Sequence, residues 1–169
     1  MIARLLDKVK KIVNNSLQAE IETYEGLQSS IILHSGTGEE EIAKCNSYFE
    51  NKLPNDYLSF LKNYNGGVFF KVSDIGGFLF WGCDELIYQN KFHKENLGSD
   101  WDEGIVLICA CLGDGDYIGI KVHSDDSYQI LDCFGEEIPI NWKSIGDSFS
   151  EFLEKLIDQK GKKFWLNVS

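Results

Sequence analysis

Hydrophobic residues recur at helical spacing in four stretches of the chain and at strand spacing in five, and the two periods occupy separate regions. Residues 1–15 place Ile2, Leu5, Leu6, Val9, Ile12 and Val13 on one face with lysines between them, which predicts an amphipathic helix with its basic face in water. From 16 to 36 the pattern thins, and "SSIILH" fits a short strand or part of a longer loop. A second helix is expected to open at Thr37. There Thr-Gly-Glu-Glu has the form of a capping box, with the Thr37 hydroxyl accepting a backbone N–H and Glu40 reaching back, and the helix continues through Ile42, Cys45 and Phe49. In "LPNDYLSFLKNYNGG", residues 53–67, Pro54 suits a first helical turn and Asp56 lies near the positive end of the helix dipole. Tyr57, Phe60, Leu61 and Tyr64 make its apolar stripe, and Asn65, Gly66 and Gly67 can take the left-handed backbone that stops a helix.

From Val68 the period changes. "VFFKV", "GFLFWG", "GIVLICACL", "DYIGIKV" and "SYQILDCF" are short runs rich in β-branched and aromatic residues, separated by the turn chemistry of "SDIGG", "GDGD" and "HSDD". They predict an antiparallel meander. Between the second and third runs, "CDELIYQNKFHKENLGSDWDE" reads as a short helix or loop crossing an edge or face of the sheet. A last helix is expected at 147–158, with Phe149, Phe152, Leu153, Leu156 and Ile157 on one face and a capping box from Ser148 to Glu151. The tail "KGKKFWLNVS" is expected to dock back through Phe164 and Trp165. Helices before and after an antiparallel sheet give an α+β fold, and 169 residues fit one domain.

Composition adds little to this until charge is mapped along the chain. Ten acidic residues between 100 and 137 stand against Lys121 alone, a net of −9, so the remainder of the chain accounts for only −2 of the total of −11. Such a field repels nucleic acid and attracts basic partners; a solvated rim that keeps the protein soluble is the other reading. Five cysteines without a C-x-x-C pair fit free thiols in a reducing compartment. With no signal-peptide core and no run of about 18 apolar residues, a cytoplasmic protein with no membrane partner is expected.

The sequence carries no P-loop, G-x-S-x-G, H-E-x-x-H or G-x-G-x-x-G, so no catalytic residue, metal or cofactor is expected. His34, His93 and His123 lack ligand-spaced companions. Asp114 and Asp116 open like a calcium loop, but Ile118 and Val122 stand where oxygen ligands are required, and a Gly-Asp hairpin turn explains the same residues. A hydrolase built on that aspartate pair lacks a nucleophile or metal set. Cys109 and Cys111 share one side of a strand among apolar neighbours, as small buried hydrophobes do. Trp81 and Trp101 serve equally well as interface anchors or as core.

One ordered set of motifs goes further. "GTGEEEIAKCNSYFENKLPNDYLSFLKNYNGG", then "GDGDYIGIKV", then "DSFSEFLEKLI" resembles the SUKH superfamily in its Smi/Knr branch: a capped helix, Leu-Pro-x-Asp-Tyr-x-x-Phe-Leu, Asn-Gly-Gly, a Gly-Asp turn into a strand, and a closing helix. The turn reads Gly-Asp-Gly-Asp where a double glycine is frequent in the family. The resemblance implies one SUKH-like domain over 1–169, strongest over 35–158 with 1–34 as a helical leader, in which a β-meander packs with N-terminal helices and a C-terminal helix. It also implies no enzyme activity. Bacterial members are immunity proteins that bind a polymorphic toxin, often a nuclease, so a toxin domain is the expected protein partner. The alternative is a regulatory scaffold module without a toxin. Charge and exposure then nominate Asp100, Asp102, Glu103, Asp114, Asp116, Asp125, Asp126, Glu136 and Glu137 as partner contacts, with Trp81, Trp101 and Tyr117 as apolar anchors.

Overall fold

A computed structural model describes residues 1–167. Within them eight strands form one antiparallel sheet in sequence order: β1 (Gln18–Glu22), β2 (Gln28–Ser35), β3 (Tyr64–Val72), β4 (Gly76–Phe80), β5 (Ile105–Cys111), β6 (Asp116–Val122), β7 (Tyr128–Cys133) and β8 (Lys143–Gly146). Five α-helices accompany it: α1 (Ile2–Val13), α2 (Glu39–Tyr48), α3 (Asn55–Asn63), α4 (Cys83–Leu97) and α5 (Phe149–Asp158). The meander and the α+β class are as the hydrophobic periods predict. None of these helices is long and apolar enough to cross a membrane.

The core lies between the sheet and α1, α3 and α5. Phe80 of β4 meets Phe69 of β3 at 5.7 Å between ring centroids, and Phe149 of α5 sits 5.3 Å from Phe60 of α3 and 5.0 Å from Tyr57. These are edge-on or tilted contacts, the arrangement that aromatic quadrupoles favour. Helix α1 buries Leu5, Val9 and Val13 against α3 and α5. Its basic face is not wholly solvated: Arg4 and Lys8 reach Glu154 of α5 at 2.8 and 3.4 Å.

Four local expectations change. The leader 1–34 is α-helical only to Val13, with a 3₁₀ turn at Asn14–Ser16; Leu17 takes a left-handed backbone, and β1 and β2 then form a hairpin. Gln18–Glu22 alternates exposed with half-buried positions at a sheet edge, so it needs few apolar residues to be a strand. Thr37 does not cap α2. Its N–H is held by the Leu61 carbonyl, Gly38 occupies the N-cap without a side-chain bond, and Glu39, Glu40 and Glu41 lie at the positive end of the dipole instead.

Asn65-Gly66-Gly67 does not end α3, which passes straight into strand at Tyr64. The glycines lie inside β3 with φ of 81° and 142°, where a Cβ on Gly66 would stand 2.5 Å from the Gly82 nitrogen and one on Gly67 2.5 Å from the Ile32 carbonyl oxygen. Asn65 Oδ1 accepts the Cys83 N–H at 2.8 Å, so the triplet seats β3 against β2 and caps the start of α4.

The segment after β4 is a helix of 15 residues, rather than a short helix or a loop. On β5, β4 pairs only with Cys109–Cys111, which leaves the first half of β5 without a strand on that side. Asn90 of α4 fills the gap: its Nδ2 donates to the Leu107 carbonyl and its Oδ1 accepts the Leu107 N–H, both at 2.8 Å. The closing helix forms as expected and the Ser148 hydroxyl accepts the Glu151 N–H, but among the described residues the Glu151 side chain does not return the bond that would complete the capping box. The tail docks as expected too, Trp165 lying 5.7 Å from Phe152 and 6.4 Å from Phe78.

Candidate protein-binding face

Strand register separates the two faces of the sheet. Phe80, Cys109, Ile118 and Asp132 are successive cross-strand partners on the face that meets the helices. One residue along, Leu79 faces Ala110, Ala110 faces Tyr117 and Tyr117 faces Cys133, a row across β4–β7 on the opposite face. Leu79, Ala110 and Tyr117 are only half-buried, because α4 covers this face at one margin and leaves the rest open.

Two grooves occupy the open face. The first, about 530 Å³, has Leu79, Ala110 and Tyr117 as its floor and Asp84, Glu85 and Gln89 of α4 as one wall, and is also lined by His34 and Asn65. His93 of α4 and Trp81 flank the Tyr117 ring at 4.6 and 5.9 Å. His93 Nε2 is buried without a hydrogen-bond partner, and burial pushes its pKa below the ordinary value, so the ring is neutral at pH 7. The second groove, about 440 Å³, runs on along the same face past Lys121, Gln129 and Leu131 to Trp101, Asp100 and the β7–β8 loop with Ile140 and Trp142. Trp142 Nε1 donates to the Phe134 and Glu137 carbonyls at 3.1 Å each, which fixes that loop.

The acidic segment is divided by the meander, because successive turns lie at opposite ends of a sheet. Asp100, Asp102, Glu103, Asp125 and Asp126 gather at one end; Asp114, Asp116, Glu136 and Glu137 gather at the other. Several are already engaged within the fold. Asp102 bridges Lys121 at 2.7 Å, and that hydrogen bond holds its carboxyl below the usual range. Glu103 bridges Lys94 at 2.7 Å. Lys163 from the tail reaches Asp114 at 2.6 Å and Asp116 at 2.9 Å. Burial works against the Lys163 charge, but its acidic neighbours outweigh this and keep its pKa above the ordinary value. Among the described residues no lysine or arginine bridges Asp84, Glu85, Asp100, Asp125, Asp126, Glu136 or Glu137.

Two nominated contacts are therefore corrected. Trp81 is 4% exposed and Asp116 8%, so neither offers surface to a partner: the indole packs beside Tyr117, and the carboxylate is taken up by Lys163 and the Gly135 N–H. Asp102, Glu103 and Asp114 remain accessible but neutralised by lysines. Trp101 and Tyr117 are half-buried on the open face, and Asp100 adjoins Trp101 there. Asp125 and Asp126 sit in the exposed β6–β7 turn, where the Asp125 carboxylate accepts the Ser127 N–H and hydroxyl.

Asp84, Glu85 and Trp142 were not singled out by sequence reasoning, and His93 was weighed only as a metal or catalytic histidine. The first two look like ordinary acids in a helix first turn, and the others acquire their neighbours only through strand register. As chemistry, the face can bind but offers little else. Asp114 and Asp116 are two sides of one lysine bridge, and the described residues hold no His/Cys/Asp/Glu group arranged for a metal. Cys109 and Cys111 are buried, with burial first among the causes that push both thiols' pKa values up, that of Cys111 to about 12. Comparison with curated proteins finds no match. The model of the SMI1 / KNR4 family (SUKH-1) matches residues 36–155, well over half of the chain, and the chain belongs to that family.

Proposed function

We propose that this protein is an immunity protein: it binds a cognate toxin domain, a basic nuclease, and neutralises it by occupation, with no chemical step of its own. The observation that carries the reading is the open sheet face, where half-buried apolar and aromatic residues are bordered by carboxylates that the fold leaves without a cation. A nuclease presents cations where its substrate's phosphates lie. A surface with that pattern of charge reaches such a partner quickly and covers the same cations, while the apolar floor supplies the desolvated centre of a lasting interface. Family membership supports the same reading.

The test is capture followed by function. Tagged protein is incubated with extract of its native source at low salt and washed at about 0.5 M salt, where charges are screened beyond a few ångströms. A basic domain retained through the wash is then expressed in a bacterial host with and without this chain. Killing by the domain alone and survival with the chain are the expected results. Capture of a non-toxic envelope or signalling assembly would replace this reading with a regulatory scaffold, and toxicity unrelieved by co-expression would reject it.

A further inference from the structure

Resting on that reading, we infer that the groove beside α4 seats an arginine side chain of the partner, stacked on Tyr117 and forked onto Asp84 and Glu85. Tyr117 is half-buried at the floor, and neither neighbour covers its ring in parallel: His93 meets it at 69° between planes and Trp81 at 43°. A planar cation gains from a ring face of this kind, and more so where water is partly excluded. Asp84 and Glu85 are exposed on the adjoining wall, and Gln89 holds one Glu85 oxygen at 2.6 Å, which limits that carboxylate's wandering. Carboxylates and an aromatic ring lining one groove match the two recognition elements of a guanidinium, its paired N–H donors and its flat π surface.

The other occupants fit less well. A lysine ammonium satisfies the carboxylates but makes no planar stack. Phosphate-bearing ligands are repelled by the same wall. A second copy of this chain, at net charge −11, brings like charge to the rim. His93, which flanks the Tyr117 ring from α4, is neutral at pH 7 and sets no fixed cation there against the entry of another.

The experiment uses the full chain labelled with ¹⁵N and titrated with hexa-arginine and hexa-lysine peptides at about 150 mM salt, where only short-range charge contacts persist. Arginine peptide is expected to shift the amides of Leu79, Ala110, Tyr117 and the first turn of α4, and to bind about fivefold more tightly than lysine peptide. Asp84→Asn with Glu85→Gln alters only exposed side chains, keeps the fold, and should weaken arginine peptide about tenfold; Asp125→Asn with Asp126→Asn should not. Equal affinity for the two peptides, or shifts centred on Asp125 and Asp126, overturns the inference. The two readings fail separately. A toxin neutralised equally well by the Asp84/Glu85 variant leaves immunity standing and removes the arginine seat, whereas groove-specific arginine binding with no toxin rescued does the reverse.

Discussion

At the scale of single residues, Asp56 holds three elements together. Its carboxylate accepts the Tyr57 N–H at 2.9 Å, the Tyr128 hydroxyl at 2.7 Å, and both the N–H and hydroxyl of Ser150 at 3.0 Å. Tyr128 in turn accepts the Phe149 N–H at 2.9 Å, so the first turn of α5 is satisfied from α3 and β7 as well as by Ser148. Replacing Asp56 by Ala removes a charged acceptor and strands several donors, at a cost of about 3 kcal/mol, and Tyr128→Phe costs about 1.5 kcal/mol. Urea unfolding of the double variant should show less than the sum, since the two share one network. His93 adds a dependence on pH. Its pKa is below the ordinary 6.5 in the folded state because of burial, so below that value the unfolded chain takes up a proton the folded one refuses. Stability should therefore fall as pH drops from about 6.5 towards the folded pKa and be unaffected by this group at higher pH. Urea midpoints at pH 7.5 and 5.5 should separate less for His93→Gln than for the parent chain, and an equal separation would assign the effect to other groups.

At the scale of elements, the link between α4 and the sheet depends on an amide rather than on a strand. Asn90 is 4% exposed and supplies both partners of Leu107, so Asn90→Leu leaves a buried N–H and a buried carbonyl without partners. The expected loss is about 2 to 3 kcal/mol, with hydrogen exchange at the Leu107 amide accelerating more than at Ile118. Leucine keeps the volume and the apolar contacts, so unchanged exchange at Leu107 would show that α4 is held by packing alone. Helices α1, α3 and α5 and strands β3–β7 were legible because each shows its period within its own residues. β1 was not, because an edge strand needs few buried side chains, and α4 was ambiguous because only Cys83, Leu86 and Asn90 of its 15 residues are buried. Asn65-Gly66-Gly67 misled for a related reason: the backbone freedom it offers serves a close approach between strands as well as it serves a helix stop.

At the scale of the whole molecule, the tail closes the structure by joining charge to packing. Lys163 bridges Asp114 and Asp116 across the β5–β6 turn, while Phe164 and Trp165 lie on Phe152 of α5. Lys163→Met keeps the stem but leaves the buried Asp116 carboxylate without its cation, and should lower stability by about 2 kcal/mol. Differential scanning calorimetry at pH 7 measures the loss. An unchanged unfolding temperature would assign the tail's contribution to its aromatic rings.

The sequence by itself determined the α+β class, the order of the meander, the capped closing helix, the docking tail and the family, because each rests on spacing between near neighbours or on the order of motifs. It also located the excess of acid. The tertiary structure alone decided which acids stay exposed without a cation among the described residues, since strand register and turn alternation sent them to opposite ends of the sheet, and lysines 9 to 49 residues away neutralised Asp102, Glu103, Asp114 and Asp116. Folding also buried Trp81 beside Tyr117 and brought Tyr117, Asp84 and Glu85 to one groove. Charge is additive along a chain, but exposure and pairing depend on distances that only folding fixes.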